Sequence, residues 1–156
     1  MILLTIGIVL SAPSGGWQTL VFVTTDCPVA QRFTPELKRI MKDFRSVTSF
    51  KFVYEDTGIS VDKVKAHHTE FKIDCPLEVD NKQWLAKQYH VTGVPTVVVR
   101  SGSSMAYKGR IDDSYGSDFK WHPAKQKDLR NALTALKNGV PVKVKRTKVI
   151  GCALNR

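Results

Sequence analysis

The chain of 156 residues is long enough for one domain with its own core and too short for two independent ones. With 42% apolar and 24% charged residues, the composition is that of a globular protein and excludes chain-wide disorder. The net charge of +10 attracts polyanions in general, but the densest basic cluster (Lys143, Lys145, Arg146 and Lys148, with Arg156) has no nucleic-acid motif beside it, so a solvated basic tail is expected and no nucleic-acid partner.

Residues 1–12, MILLTIGIVLSA, are almost wholly apolar but too few to span a bilayer, so no stable membrane span is expected. They resemble the apolar part of a signal peptide, and Ala12-Pro13-Ser14 before Gly15 offers a small-x-small cleavage pattern. No Lys or Arg precedes the run, as a normal signal would require, and a buried first strand or a start site inside a longer gene is the competing reading. A signal peptide would place the protein in the periplasm or outside the cell, and its absence in the cytoplasm. Residues 11–16, SAPSGG, read as a linker. The expected organisation is a leader and linker over 1–16, a domain over 17–139 and a basic tail over 140–156.

Residues 18–24, QTLVFVT, have the apolar, β-branched character of a buried strand. Phe33, Leu37, Ile40, Met41 and Phe44 then recur at helical spacing. Residues 50–54, FKFVY, predict a second strand that ends in Glu55 and Asp56. Ser60 caps a predicted helix to about Phe71, with Val61, Val64 and Phe71 on one face. A short strand at 76–79 and a short helix at 81–90 follow, with Trp84 and Tyr89 expected in the core. Residues 95–100, PTVVVR, and 104–108 form a hairpin across the turn at 101–103, and a last helix is expected over 124–138, stopping at Asn138-Gly139. Strands alternating with helices imply a mostly parallel sheet covered on both faces, with the hairpin as an antiparallel edge.

The three cysteines, Cys27, Cys75 and Cys152, are too few for a disulfide scaffold and too far apart for zinc-ligand spacing. Cys27 falls just past the first strand and just before a helix, where amide N–H groups and the helix dipole stabilise a thiolate. Pro28 suits the first helical position, where its missing N–H has no partner to lose. His67 and His68 are adjacent on a helix and point to different sides, so a surface location is expected there rather than a metal site. Trp121, in a polar loop, is a candidate for covering the site or contacting a partner. No metal or cofactor is expected.

Three features resemble thioredoxin-fold redox proteins over most of residues 18–138. Cys27-Pro28-Val29-Ala30 stands in the place of a Cys-x-x-Cys motif, with Pro35 where such helices carry a kinking proline. Gly93-Val94-Pro95-Thr96 is similar to the cis-proline loop, and the 101–138 region matches the closing ββα. The extra helix and strand at 60–79, with DCPVAQRFTPEL, Gly109-Arg110-Ile111-Asp112-Asp113 and Gly151-Cys152, resembles bacterial redoxin-domain proteins related to the alkyl hydroperoxide reductase and thiol-specific antioxidant group. The resemblance implies a thioredoxin-like three-layer α/β/α sandwich with a mixed central sheet and an inserted helix–strand unit. It implies a catalytic Cys27 and a substrate groove formed by Pro28, Val94, Pro95 and Thr96. It also implies a protein or low-molecular-weight thiol or disulfide as partner.

The sequence departs from the family pattern at three places. Ala30 replaces the second cysteine, Leu20 replaces the proline that shapes a peroxidase pocket, and Val21 replaces the buried acid of thioredoxins. Cys27 is therefore expected to act as a single active-site cysteine in a thiol–disulfide oxidoreductase, with a one-cysteine peroxidase acting on peroxide, or a non-catalytic partner-binding module, as alternatives. Cys152, on a tail able to reach Cys27, is the preferred resolving thiol, and Cys75 is expected toward the other end of the sheet in a structural role.

Overall fold

Strands buried on both faces lose the alternation of apolar and polar residues and read as continuous β-branched and aromatic runs. The computed structural model describes residues 16–155. Trp17–Val23 (β1) leads through the helix Pro28–Phe44 (α1) into Thr48–Tyr54 (β2), which pairs parallel with β1 from Trp17 opposite Thr48 to Val23 opposite Tyr54. The helix Val61–Glu70 (α2) then delivers Leu77–Val79 (β3) to the far side of β2, again parallel. After the short helix Trp84–Gln88 (α3) and the two-residue strand Gly93–Val94 (β4), the chain enters Thr96–Ser101 (β5), antiparallel to β1. A tight turn returns it as Ser104–Gly109 (β6), and Asp128–Lys137 (α4) follows. The five-stranded sheet has the order β3-β2-β1-β5-β6 and is flanked by helices.

The centre of the sheet is the centre of the core. Val21, Phe22, Val53, Val97, Val98 and Val99 are fully shielded from solvent, and α1 lays Phe33, Leu37, Ile40, Met41 and Phe44 against them. Burying each such large side chain is worth about 1.5–3 kcal/mol. Ser60 caps α2, its Oγ accepting the Lys63 N–H at 3.3 Å.

Three sequence expectations are corrected here. Val61 is exposed, and the buried stripe of α2 is Val64 with His68. Trp84 is 67% exposed under the Lys82 ammonium, because the Asp80 carboxylate accepts the N–H groups of Trp84, Leu85 and Ala86 and so turns Ala86, not Trp84, inward. The last helix begins at Asp128 rather than near 124, since Asp113 takes the Lys125 and Gln126 amides and holds that stretch out of helical geometry.

The largest correction concerns residues 140–155, expected as a tail of little periodicity. They form an ordered strap along β6. Lys108 donates its amide to Lys145 and accepts that of Thr147, so the strap covers the exposed sheet edge. The Thr147 hydroxyl accepts the Arg110 N–H at 2.9 Å and donates to Tyr107, whose own proton goes to the Arg110 carbonyl. A Cβ on Gly109 would run into Thr147, so this contact requires glycine. Lys143, Lys145, Arg146 and Lys148 stay exposed on the outside of the strap. It ends in Cys152–Ala153 (β7), antiparallel to β4. Residues 1–15, with the leader and the leader-based expectations, lie outside the described residues.

Candidate active site

Cys27 is the N-cap of α1. Its backbone is extended, its carbonyl accepts the Gln31 N–H, and the Ala30 N–H points at its Sγ at 3.4 Å. Pro28 occupies the first turn and is exposed. The preceding turn is clamped by Asp56, whose carboxylate accepts both the amide and the hydroxyl of Thr25, while Gln31 donates to the Thr25 carbonyl. These bonds fix the sulfur at the C-terminal edge of the parallel strands, where α/β folds gather their reactive groups.

Cys27 is not a lone thiol. It is bonded to Cys152 with the Cα atoms 5.9 Å apart, across a sequence separation of 125. β7 carries Cys152 opposite Val94, and the next peptide bond, Val94–Pro95, is cis. The Cys27 Sγ lies 3.6 Å from the Val94 carbonyl oxygen, a contact that becomes an S–H···O hydrogen bond when Cys27 is a thiol. Cys27 is 1% exposed and Cys152 half-buried, so Cys152 is the outer sulfur. Val94 and Pro95 are buried beside the bond, whereas the Thr96 hydroxyl turns back to the Gly93 carbonyl at 2.6 Å and closes the proline loop.

Beside the disulfide is a cavity of about 270 Å³ lined by Cys27, Cys152, Glu55, Asp56, Gln83 and Leu154 among others. Glu55 is 1% exposed, and its carboxyl group faces the carboxylate of Asp80. Burial, then the negative charge of Asp80, pushes its pKa up to about 9, so it is a neutral acid at pH 7. Gln83 donates to the Glu55 carbonyl at 3.1 Å. Sequence reasoning placed no function on Glu55, Asp56 or Gln83. The available signal was two acids closing a strand parallel to the one that leads to Cys27.

The profile of the thioredoxin-like family matches residues 18–105. The chain belongs to the thioredoxin-like family. A search of curated proteins returns no match. Among solved structures, an uncharacterized conserved protein from Geobacillus kaustophilus aligns with a TM-score of 0.81 at 25% identity, covering 91% of this chain and 78% of the other. A hypothetical protein from Sinorhizobium meliloti aligns with a TM-score of 0.78 at 20% identity, covering 90% and 79%. A secreted Mycobacterium tuberculosis disulfide oxidoreductase aligns with a TM-score of 0.54 at 17% identity, covering 78% and 82%.

Other candidate residues of this thioredoxin-like chain fall away from the disulfide. Cys75 is free, and burial raises its thiol to about pH 11, which makes it a poor nucleophile near neutrality. His67 and His68 do not point to different sides: both Nδ1 atoms reach the Tyr54 hydroxyl, at 3.2 and 3.1 Å. His68 Nε2 donates to the Cys75 carbonyl at 2.8 Å. The pair ties α2 to the sheet, and burial holds the His67 pKa down. No group of three metal-ligating side chains lies together among the described residues. Trp121 is half exposed, with the Arg32 guanidinium 4.8 Å from its ring centroid.

Proposed function

We propose that this protein is a thiol–disulfide oxidoreductase that cycles between a Cys27/Cys152 dithiol and the Cys27–Cys152 disulfide. The reading is carried by one observation, the bond between the N-cap cysteine of α1 and the end of the strap, made beside the Val94–Pro95 loop. It replaces a single working cysteine by a pair drawn from the two ends of the domain. The secreted disulfide oxidoreductase from Mycobacterium tuberculosis, which shares the fold, supports the same class of chemistry. A resting disulfide suits an oxidising compartment, in keeping with the periplasmic or secreted expectation.

In the reductive direction an incoming thiolate attacks Cys152, in the half-buried residue of the pair, and Cys27 leaves as a thiolate. A second thiol of the donor then attacks the first donor sulfur, Cys152 leaves in turn, and the donor is oxidised to its disulfide. The helix N-terminus and the Ala30 N–H stabilise the Cys27 leaving group, and a better-stabilised thiolate leaves faster. Glu55, neutral in the same cavity, sets no negative charge against that thiolate. In the opposite direction the Cys27 thiolate attacks a partner disulfide, and Cys152 displaces the partner from the mixed disulfide.

Redox titration against glutathione, read as the mass gain on thiol alkylation, tests the reading. The expected outcome is one two-electron transition involving Cys27 and Cys152, abolished by either Cys27→Ser or Cys152→Ser. Two thiols that titrate independently, or a Cys27 inert to disulfides once reduced, would overturn it. Reduced protein treated with peroxide addresses the peroxidase alternative, which requires oxidation by peroxide to outpace oxidation by disulfides.

A further inference from the structure

The segment that occupies β4 is the chain's own 151–154 stretch, and its seat has a shape requirement. Cys152 and Ala153 lie opposite Val94 and Gly93, and the Leu154 amide extends the ladder by donating to the Thr92 carbonyl at 3.0 Å. At Gly151 a Cβ would be driven into the Val94 carbonyl oxygen and would come within 3.2 Å of the Pro95 ring. Across the pair, a Cβ on Gly93 would come within 3.2 Å of the Cys152 carbonyl oxygen. The two backbones therefore approach too closely to admit a side chain at the residue before the cysteine. After the cysteine, Ala153 is exposed and Leu154 helps to line the cavity, so those positions are freer. What sits on β4 is an extended Gly–Cys segment that delivers its sulfur onto Cys27.

We propose that, once the Cys27–Cys152 bond is reduced and the end of the strap leaves, the β4 edge beside Pro95 binds extended segments of partner polypeptides in which a disulfide-bonded cysteine is preceded by glycine. The proposal rests on the thiol–disulfide reading above and names its substrate class. A freed strand edge supplies main-chain hydrogen bonds to any extended chain, which gives attachment without sequence preference. Selectivity comes from the clash that any larger residue meets at the Gly151 position.

The exchange balances in two steps. The Cys27 thiolate attacks the sulfur of the glycine-preceded half-cystine. The partner's S–S bond breaks, its other sulfur leaves with the electron pair and takes a proton, and Cys27 is joined to the segment. The Cys152 thiolate then attacks the Cys27 sulfur, the mixed disulfide breaks, and the segment leaves as a thiolate that is protonated in turn. The partner disulfide is reduced to two thiols while Cys27 and Cys152 are oxidised to the disulfide. Because Gly151–Cys152 and the partner segment fit one seat, the segment's main chain has to leave β4 as Cys152 approaches Cys27 in line with the departing sulfur, and the strap then takes the vacated edge.

The full-length Cys152→Ala variant, which cannot complete the second step, provides the test. It is treated with two synthetic peptides, Ala-Gly-Cys-Ala-Leu and Ala-Val-Cys-Ala-Leu, each carrying thionitrobenzoate on its cysteine, and with oxidised glutathione as a small disulfide lacking the motif. The expected result is a Cys27–peptide adduct by mass spectrometry, formed at least about tenfold faster with the glycine peptide, the ratio that a steric penalty of about 1.4 kcal/mol produces. Equal rates for the two peptides, with Cys27 still reactive toward glutathione disulfide, would overturn the Gly–Cys assignment and leave the thiol–disulfide reading standing. No reaction with any of the three would overturn both. In reduced wild-type protein, oxidation that yields Cys27–Cys152 dimers while excluding the glycine peptide would assign the seat to a second copy and also defeat the proposal.

Discussion

Glu55 closes β2 shielded from solvent and beside the Asp80 carboxylate, a costly place for an ionised acid. It keeps its proton up to about pH 9 in the fold but loses it near the ordinary value of 4.5 once unfolded. Between those values the folded state binds the extra proton, so the contribution of Glu55 to stability is full below the lower value and falls as pH rises through the window. Glu55→Gln should therefore be more stable than the parent by roughly 1–3 kcal/mol at about pH 8, with the gain vanishing near pH 4. Urea denaturation at the two pH values checks this, and a gain independent of pH would contradict the assignment. The residue was not legible as functional in the sequence. Burial of an acid depends on what packs around it, and only the parallel register of β1 and β2 places Glu55 next to the turn that carries Cys27.

The strap is the element that decides how the redox pair meets. Its anchor is Thr147, whose hydroxyl satisfies Arg110 and Tyr107 at once. Thr147→Val keeps the shape and removes the hydroxyl, leaving the Arg110 amide and the Tyr107 oxygen short of a partner. The expected cost is about 1–3 kcal/mol. Cys27 should also be alkylated faster at a fixed concentration of reductant, and an unchanged alkylation rate would mean that the anchor does not govern access. The strands and long helices were legible from periodicity because each buries one continuous stripe. The strap was not, since its order comes from isolated main-chain bonds to β6 and β4 and from two glycines that permit close approach, Gly109 and Gly151. None of these leaves a repeat in the sequence. Val61 and Trp84 were misplaced for a related reason: α2 and α3 are short and bury only part of the face that their spacing suggests.

Across the whole molecule, the disulfide closes a loop of 125 residues and so constrains nearly the entire unfolded domain. The chain-entropy estimate for such a loop is about 5 kcal/mol, which corresponds to a loss of roughly 10–20 °C in Tm on reduction. Calorimetry of the oxidised and reduced forms checks this, and equal melting temperatures would show that the strap stays docked without its bond. The thioredoxin-like fold itself was legible from element order, Pro35 and the Val94–Pro95 loop, all of which belong to the 18–138 region. The same separation has a consequence for biosynthesis. At translation rates of about 5–20 residues per second, Cys27 is made roughly 6–25 s before Cys152. For that interval the nascent chain carries the Cys27 thiol without its eventual mate, so the bond cannot form until residue 152 has been made and the strap has docked on β4.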